Sequence, residues 1–188
     1  MKKFLFVMLL SVAALCTVRA ENFSDINWGE KIAFYIPNRI LDALDFVSVN
    51  LGVGPTAEAR LMFTRYCDIG AGWSAGTAKA FKDYNRQYGA GVEEGWYWSA
   101  ICAGEEEYRM TEATPMMDMY VERFAGVPNP LTRTYNFING PRDFWAIGGS
   151  LGFILDGNLY IHPLELVDFV LGFFFIDIKE DDLTLDRF

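Results

Sequence analysis

Trp145-Ala146-Ile147-Gly148-Gly149-Ser150-Leu151-Gly152-Phe153-Ile154-Leu155 is the stretch that decides the fold of this chain. Trp145, Ile147, Gly149, Leu151, Phe153 and Leu155 fall on one side of a two-residue period, and Ala146, Gly148, Ser150 and Gly152 on the other. Strands put successive side chains on opposite faces, so this period predicts a β-strand. A face of Gly, Ala and Ser also lets another backbone or a bulky ring come close.

Moving outward, the same period recurs three times. Ala57, Ala59, Leu61 and Phe63 oppose Glu58, Arg60 and Thr64. Ile69, Ala71, Trp73 and Ala75 oppose Gly70, Gly72, Ser74 and Gly76. Trp96, Trp98, Ala100 and Cys102 oppose Gly95, Tyr97, Ser99 and Ile101. Turn residues separate the later runs at Val127-Pro128-Asn129-Pro130, Asn139-Gly140-Pro141 and Asp156-Gly157-Asn158. Together they predict a mainly β domain, an antiparallel meander of about eight strands closing into a small barrel or strongly curved sheet. Closure removes the exposed edges that so hydrophobic a meander otherwise presents.

Two segments break the period. Ile40, Leu41, Leu44 and Val47 share one helical face, away from Asp42 and Asp45, and Leu164, Val167 and Leu171 do likewise after Pro163. Both predict short amphipathic helices whose apolar side packs on the sheet or closes one end of it. Basic residues usually line the polar face of a helix lying on lipid, whereas these faces carry acids. Met116 to Phe124 is read as a third helix, Phe173 to Ile178 as a last strand, and residues 21–32 and 179–188 as loosely held polar ends.

At the N-terminus, Lys2 and Lys3 precede an apolar run from Phe4 to Leu15, and Val18-Arg19-Ala20 resembles a cleavage site. Residues 1–20 are expected to be a cleaved signal peptide, and residues 21–188 a single β-rich domain in the outer membrane or periplasm of a Gram-negative-type bacterium. Leu15 stands where lipidation of Cys16 wants a small residue. The leader holds three cations and no acid, so the remainder carries −12 against −9 for the whole chain. Such a charge argues against nucleic acid and anionic membrane surfaces as electrostatic partners. Cys67 and Cys102 lie beyond the leader. An oxidising compartment permits a disulfide between them, which stabilises by about 3–4 kcal/mol in the chain-entropy model.

Little in the sequence points to catalysis. Gly72-Trp73-Ser74-Ala75-Gly76 matches the Gly-x-Ser-x-Gly nucleophile elbow, and over those five residues the chain resembles the α/β-hydrolases. The resemblance implies Ser74 as nucleophile, Asp143 or Asp156 as acid and His162, the single histidine, as base, with a helix over Thr77 to Tyr88. One histidine and no spaced carboxylate loop leave no metal site, and no cofactor motif is present. Trp96, Trp98 and Trp145, with neighbouring aromatics, suit either the interface girdle of an outer-membrane barrel or the lining of a pocket for an apolar ligand. Phe188 ends the chain with an aromatic, as many outer-membrane barrels do.

Three functions are therefore expected, in this order. The first is a small non-enzymatic outer-membrane or envelope-associated barrel with a structural or passive role, its partner being membrane lipid. The second is a soluble periplasmic barrel enclosing a lipid or other apolar ligand. The third is a serine ester hydrolase using Ser74.

Overall fold

The computed structural model describes residues 28–111, 121–174 and 178–179. Two helices, α1 (Trp28–Ala33) and α2 (Tyr35–Asp45), lead into β1 (Val47–Thr64), β2 (Cys67–Asp83), β3 (Gln87–Ala100), β4 (Gly104–Thr111) and β5 (Val121–Gly126). Residues 127–146 cross over with a single 3₁₀ turn at Arg133–Tyr135, and β6 (Ile147–Ile161) and α3 (Pro163–Gly172) follow. The strands form one antiparallel sheet in the order β5-β4-β3-β2-β1-β6.

The expected meander is there, with two corrections. The described sheet has six strands rather than eight, and it is not closed into a barrel: β5 and β6 are its edges. The expected count is too high because β1, β2, β3 and β6 are long, at 18, 17, 14 and 15 residues, and absorb runs that read as separate strands. Asp156-Gly157-Asn158 bends no turn and lies inside β6, paired with Leu51 and its neighbours. Thr77 to Tyr88, helical in the hydrolase reading, continues β2 through a short turn into β3. Residues 28–33 are helical rather than a loose end. Phe124 lies in β5, so the end of the expected third helix is a strand. Phe173 and Phe174 form a turn after α3, not a strand. The expected leader over residues 1–20 and most of the expected third helix, Met116 to Tyr120, fall outside the described residues.

Which face is covered is the main finding. Along β1, Ser48, Thr56, Glu58 and Met62 are buried while Val49, Leu51, Val53, Leu61 and Phe63 are exposed. On β6, Ser150 and Asp156 are buried, and Leu151 and Phe153 are about three-quarters exposed. The sheet thus covers its polar face and shows its apolar one. Gly76, at φ +80°, makes this uniform along β2: odd-numbered residues point outward before it, and Ala78 and Ala80 do so after it.

The helices follow the same inversion, contrary to the expectation that their apolar sides pack inward. Asn38, Asp42 and Asp45 of α2 are buried, and Ile32, Ile36, Ile40 and Leu44 form an exposed stripe along α1 and α2. In α3, Glu165 and Asp168 are buried and Leu166 and Val170 exposed. The acids turn inward because cations await them. Arg86 Nε donates to Asp45 Oδ2 at 2.8 Å, and Lys179 Nζ donates to Glu165. Lys82 Nζ donates to the Leu44 and Val47 carbonyls at 2.7 Å each, capping the end of α2 with positive charge.

Candidate functional site

The covered face holds a cavity of about 120 Å³. Glu58, Arg60, Lys79, Glu93, Tyr97 and His162 are among its lining residues. It lies between two ion-pair networks of opposite balance. In the first, Lys79 Nζ stands 2.7 Å from Glu93 Oε1 and 2.8 Å from Asp156 Oδ2. Glu58 lies close enough to couple to all three. One cation here serves three carboxylates. Burial opposes the charge on Lys79, but Glu93 and Glu58 outweigh it and hold its pKa above the ordinary lysine range. Burial raises the carboxyl pKa values of Glu58 and Glu93, with Lys79 only partly offsetting it.

The second network is rich in arginine. Arg60 forks onto Asp68, with Nε donating to Oδ1 at 3.0 Å and Nη2 to Oδ2 at 2.5 Å. Arg65 bridges the same Asp68 at 3.0 Å and Glu106 at 2.7 Å, and its Nε donates to Tyr135 Oη at 2.8 Å. Arg142 from the crossover also donates to Glu106 Oε1, at 3.0 Å. Burial works against the Glu106 carboxylate, yet Arg142, Arg65 and Arg60 together bring its pKa below the usual value. Tyr97 runs the other way: burial raises its phenol, which sits 4.8 Å beneath the Arg60 guanidinium. The arginine network, through Tyr135 and Arg142, pins the crossover over the covered face.

His162, just before α3, joins β1 to the crossover. Its Nδ1 lies 3.0 Å from Asp143 Oδ2, and its Nε2 lies 2.7 Å from Ser48 Oγ. The atom order is that of a serine–histidine–acid chain. Asp143 is one of the two acids expected for His162; the serine is Ser48 and not Ser74. Ser48 is 1% exposed and, unlike His162 and Asp143, does not line the cavity, so its hydroxyl has no open approach. The chain ties α3 to β1 and the crossover.

Ser74 is placed elsewhere. It is buried within β2, and its Oγ donates to Thr77 Oγ1 at 2.8 Å and to the Glu93 carbonyl at 3.1 Å. No tight strand-to-helix turn presents it, and Asp156 belongs to Lys79. Trp96 and Trp98 lie on the exposed face of β3, away from the cavity, and Trp145 packs edge-on against Phe144 at 5.3 Å. Cys67 and Cys102 are exposed free thiols on adjoining turns. Among the described residues no cluster of His, Cys, Asp or Glu is arranged to hold a metal, and no helix is long and apolar enough to cross a membrane.

The polar side of each strand is legible in the sequence, but nothing there singles out Arg65, Lys79, Glu106 and Arg142 as interior. Lys79 alone carries a signal, standing between Ala78 and Ala80 in a run that reads as sheet, whereas Glu106 lies among three consecutive glutamates and Arg65 and Arg142 lie outside the strands. Comparison with known proteins adds nothing to this geometry: no family model, curated protein or solved structure matches the chain.

Proposed function

We propose that the protein is an exported, non-enzymatic component of the bacterial cell envelope, with its exposed sheet face and helix stripes against the hydrocarbon of the outer membrane. The observation that carries this is the inversion of every long element. A protein surrounded by water places Leu151, Phe153, Trp73 and the Ile32–Leu44 stripe inside. Here they form a continuous apolar exterior over a charged interior, the pattern that lipid-facing strands show. An exposed apolar surface of this extent needs a covering phase.

The contact is one-sided. Phe153, Ala57, Trp73, Trp96, Glu107 and Arg123 follow one another across the strands in register. The first four are apolar, and the last two form an exposed ion pair between β4 and β5. A second exposed pair, Arg109 with Glu94, borders the same edge. The lipid face therefore spans β6, β1, β2 and β3, and β4 and β5 stand out in water. The interior, filled with paired charges, supports a structural role. The cavity is lined by tyrosines and paired charges while most of the aliphatic side chains point out, which favours a structural interior over an enclosed apolar ligand.

Fractionation of the untagged protein tests this. The expected result is a band that floats with outer-membrane vesicles and resists extraction by carbonate. Quantitative release by osmotic shock as a soluble monomer overturns it.

A further inference from the structure

We propose that Cys67 and Cys102 are a built oxidation site, a thiol pair that closes into an intramolecular disulfide across the end of the sheet farthest from the helices. Cys67 opens β2 after the two-residue turn Arg65-Tyr66, and Cys102 lies in the turn between β3 and β4. In the sequence they stand 35 positions apart. The register of β2 with β3 removes that separation. Ile69 pairs with Ala100 at the end of the ladder, and the turn that follows brings Cys102 alongside the residues flanking Cys67.

Backbone hydrogen bonds carry the pairing past the last ladder residues. Ile101 N donates to the Asp68 carbonyl at 3.1 Å and Cys102 N to the Tyr66 carbonyl at 3.0 Å. The Cys102 backbone is thereby bonded to the residue before Cys67, and that of Ile101 to the residue after it. Ile101 and Cys102 both take positive φ, +33° and +64°, conformations that residues with side chains adopt rarely. The turn accepts that cost and keeps Cys102 bonded to Tyr66, the residue before Cys67. Residues paired in a ladder have Cα separations of about 4.5–5.5 Å, within the range a disulfide bridges, and the bonds to Asp68 and Tyr66 keep Cys102 at the margin of that ladder.

The thiols are also reachable. Both residues are exposed, and Cys102 Sγ donates only to the Tyr66 carbonyl, at 3.0 Å. Closing the bond takes a rotation of that side chain away from the carbonyl. The chemistry requires an acceptor of two electrons, and the class is a protein or small-molecule disulfide of the envelope. One cysteine thiolate attacks the oxidant's sulfur and expels a thiolate. The second cysteine, deprotonated, then attacks the mixed disulfide, forming Sγ–Sγ and releasing the second reduced sulfur of the oxidant. Two protons leave with two electrons, and nothing else in the protein changes oxidation state.

The bond would act on the arginine network. Cys102 lines a small recess together with Arg60, Arg65, Asp68 and Glu106. A staple there holds the β1–β2 and β3–β4 hairpins together at the end that has no helix to clamp it. The proposal is independent of the lipid-contact reading, since it holds for a soluble protein as well.

The test is peptide mapping of the purified protein after equilibration with oxidised glutathione, with alkylation of remaining thiols before digestion. Trypsin cuts after Arg65, Lys79, Arg86 and Arg109, leaving each cysteine on its own peptide. The expected product is one cross-linked species joining residues 66–79 to 87–109, converted to two free peptides by dithiothreitol. Cys67→Ser and Cys102→Ser should each abolish it, and the oxidised wild type should melt higher than the reduced form by several degrees. Recovery of both peptides alkylated after oxidation overturns the proposal. So does linkage found only between two copies of the chain.

Discussion

Glu106 and Glu58 share the covered face but should respond to acid in opposite directions. Glu106 has its carboxyl pKa lowered in the fold, because Arg142, Arg65 and Arg60 outweigh burial. A lowered folded pKa means the unfolded chain binds the proton first. The stabilisation from Glu106 is therefore complete above the unfolded value of about 4.3 and is lost as pH falls below it. Glu106→Gln removes the carboxylate that Arg65 and Arg142 share, Arg65 keeping Asp68, so about 3 kcal/mol should go at pH 7. Urea melts of both proteins should converge as pH drops through 4. Glu58 is the reverse case: burial raises its folded pKa, so it binds a proton more readily in the fold and its contribution weakens as pH rises above about 4.3. Glu58→Gln should be at least as stable as the parent at pH 7, by up to about 1 kcal/mol, with the difference shrinking in acid. A Glu58→Gln variant several kcal/mol less stable than the parent contradicts the burial cause assigned here. None of this sign difference is legible in the sequence, where Glu58 and Glu106 are two acids in two alternating runs. It depends on which cations the register and the crossover bring alongside.

At the scale of the element, and apart from Ile101 and Cys102, which lie in a turn, and Trp145 and Ala146, which precede β6, the two-residue period in 57–64, 69–76, 96–102 and 145–155 carries the strands. Their backbone demands that period whichever face is covered. What the period cannot carry is the side, because apolar-in and apolar-out strands have the same alternation and differ only in their surroundings. Within water the apolar side goes in, and by that rule both helices are expected to bury their apolar stripes. The information that reverses it is present only in part: Glu58, Arg60, Asp68, Lys79, Glu93 and Glu106 carry both signs, and the register with the shift at Gly76 gathers them on one face. Charges of both signs that can pair make a face that can be buried. The two edge strands, and the mismatch between eight expected strands and six, have another cause. Asp156-Gly157-Asn158 has a turn composition, yet Asp156 is there for Lys79, and Gly157 lies opposite Leu51. Helix α2 offers the direct test. Ile40 is more than half exposed, so Ile40→Lys should change stability in detergent-free buffer by no more than about 0.5 kcal/mol. Asp45→Ala removes the nearer of the two acids that hold Arg86 beneath the helix, leaving Asp42 at 3.5 Å, and should cost about 3 kcal/mol. A conventional amphipathic helix gives the opposite ranking, and denaturant titrations of the two variants decide between them.

For the molecule as a whole, the charged interior and apolar exterior make one surface with a definite border. Trp73, Trp96 and Trp98 lie on the outward side of β2 and β3, Trp73 and Trp96 directly paired. One strand further on, Glu107 and Arg123 mark where water begins. Indole fluorescence can therefore report both the contact and its limit. Bilayers brominated on their acyl chains should quench the outward tryptophans on reconstitution. Replacing all three by Phe should remove most of that quenching and leave binding to the vesicles intact, since Phe keeps the apolar area. A cysteine introduced for Arg123, labelled with an environment-sensitive dye, should stay water-like under the same conditions. It will do so if the lipid face ends at β3, because a bilayer that wrapped the whole sheet would have to bury the Glu107–Arg123 pair and the free edge of β5. Each unsatisfied backbone group in hydrocarbon costs several kcal/mol, so each open edge, β6 as well as β5, must either meet water at the border of the lipid face or take a partner strand in the membrane. A blue-shifted dye at position 123 together with quenched tryptophans would therefore mean that β5 has acquired a partner strand in the membrane. Unquenched tryptophans with a water-exposed dye would mean that the apolar face is covered by something other than lipid.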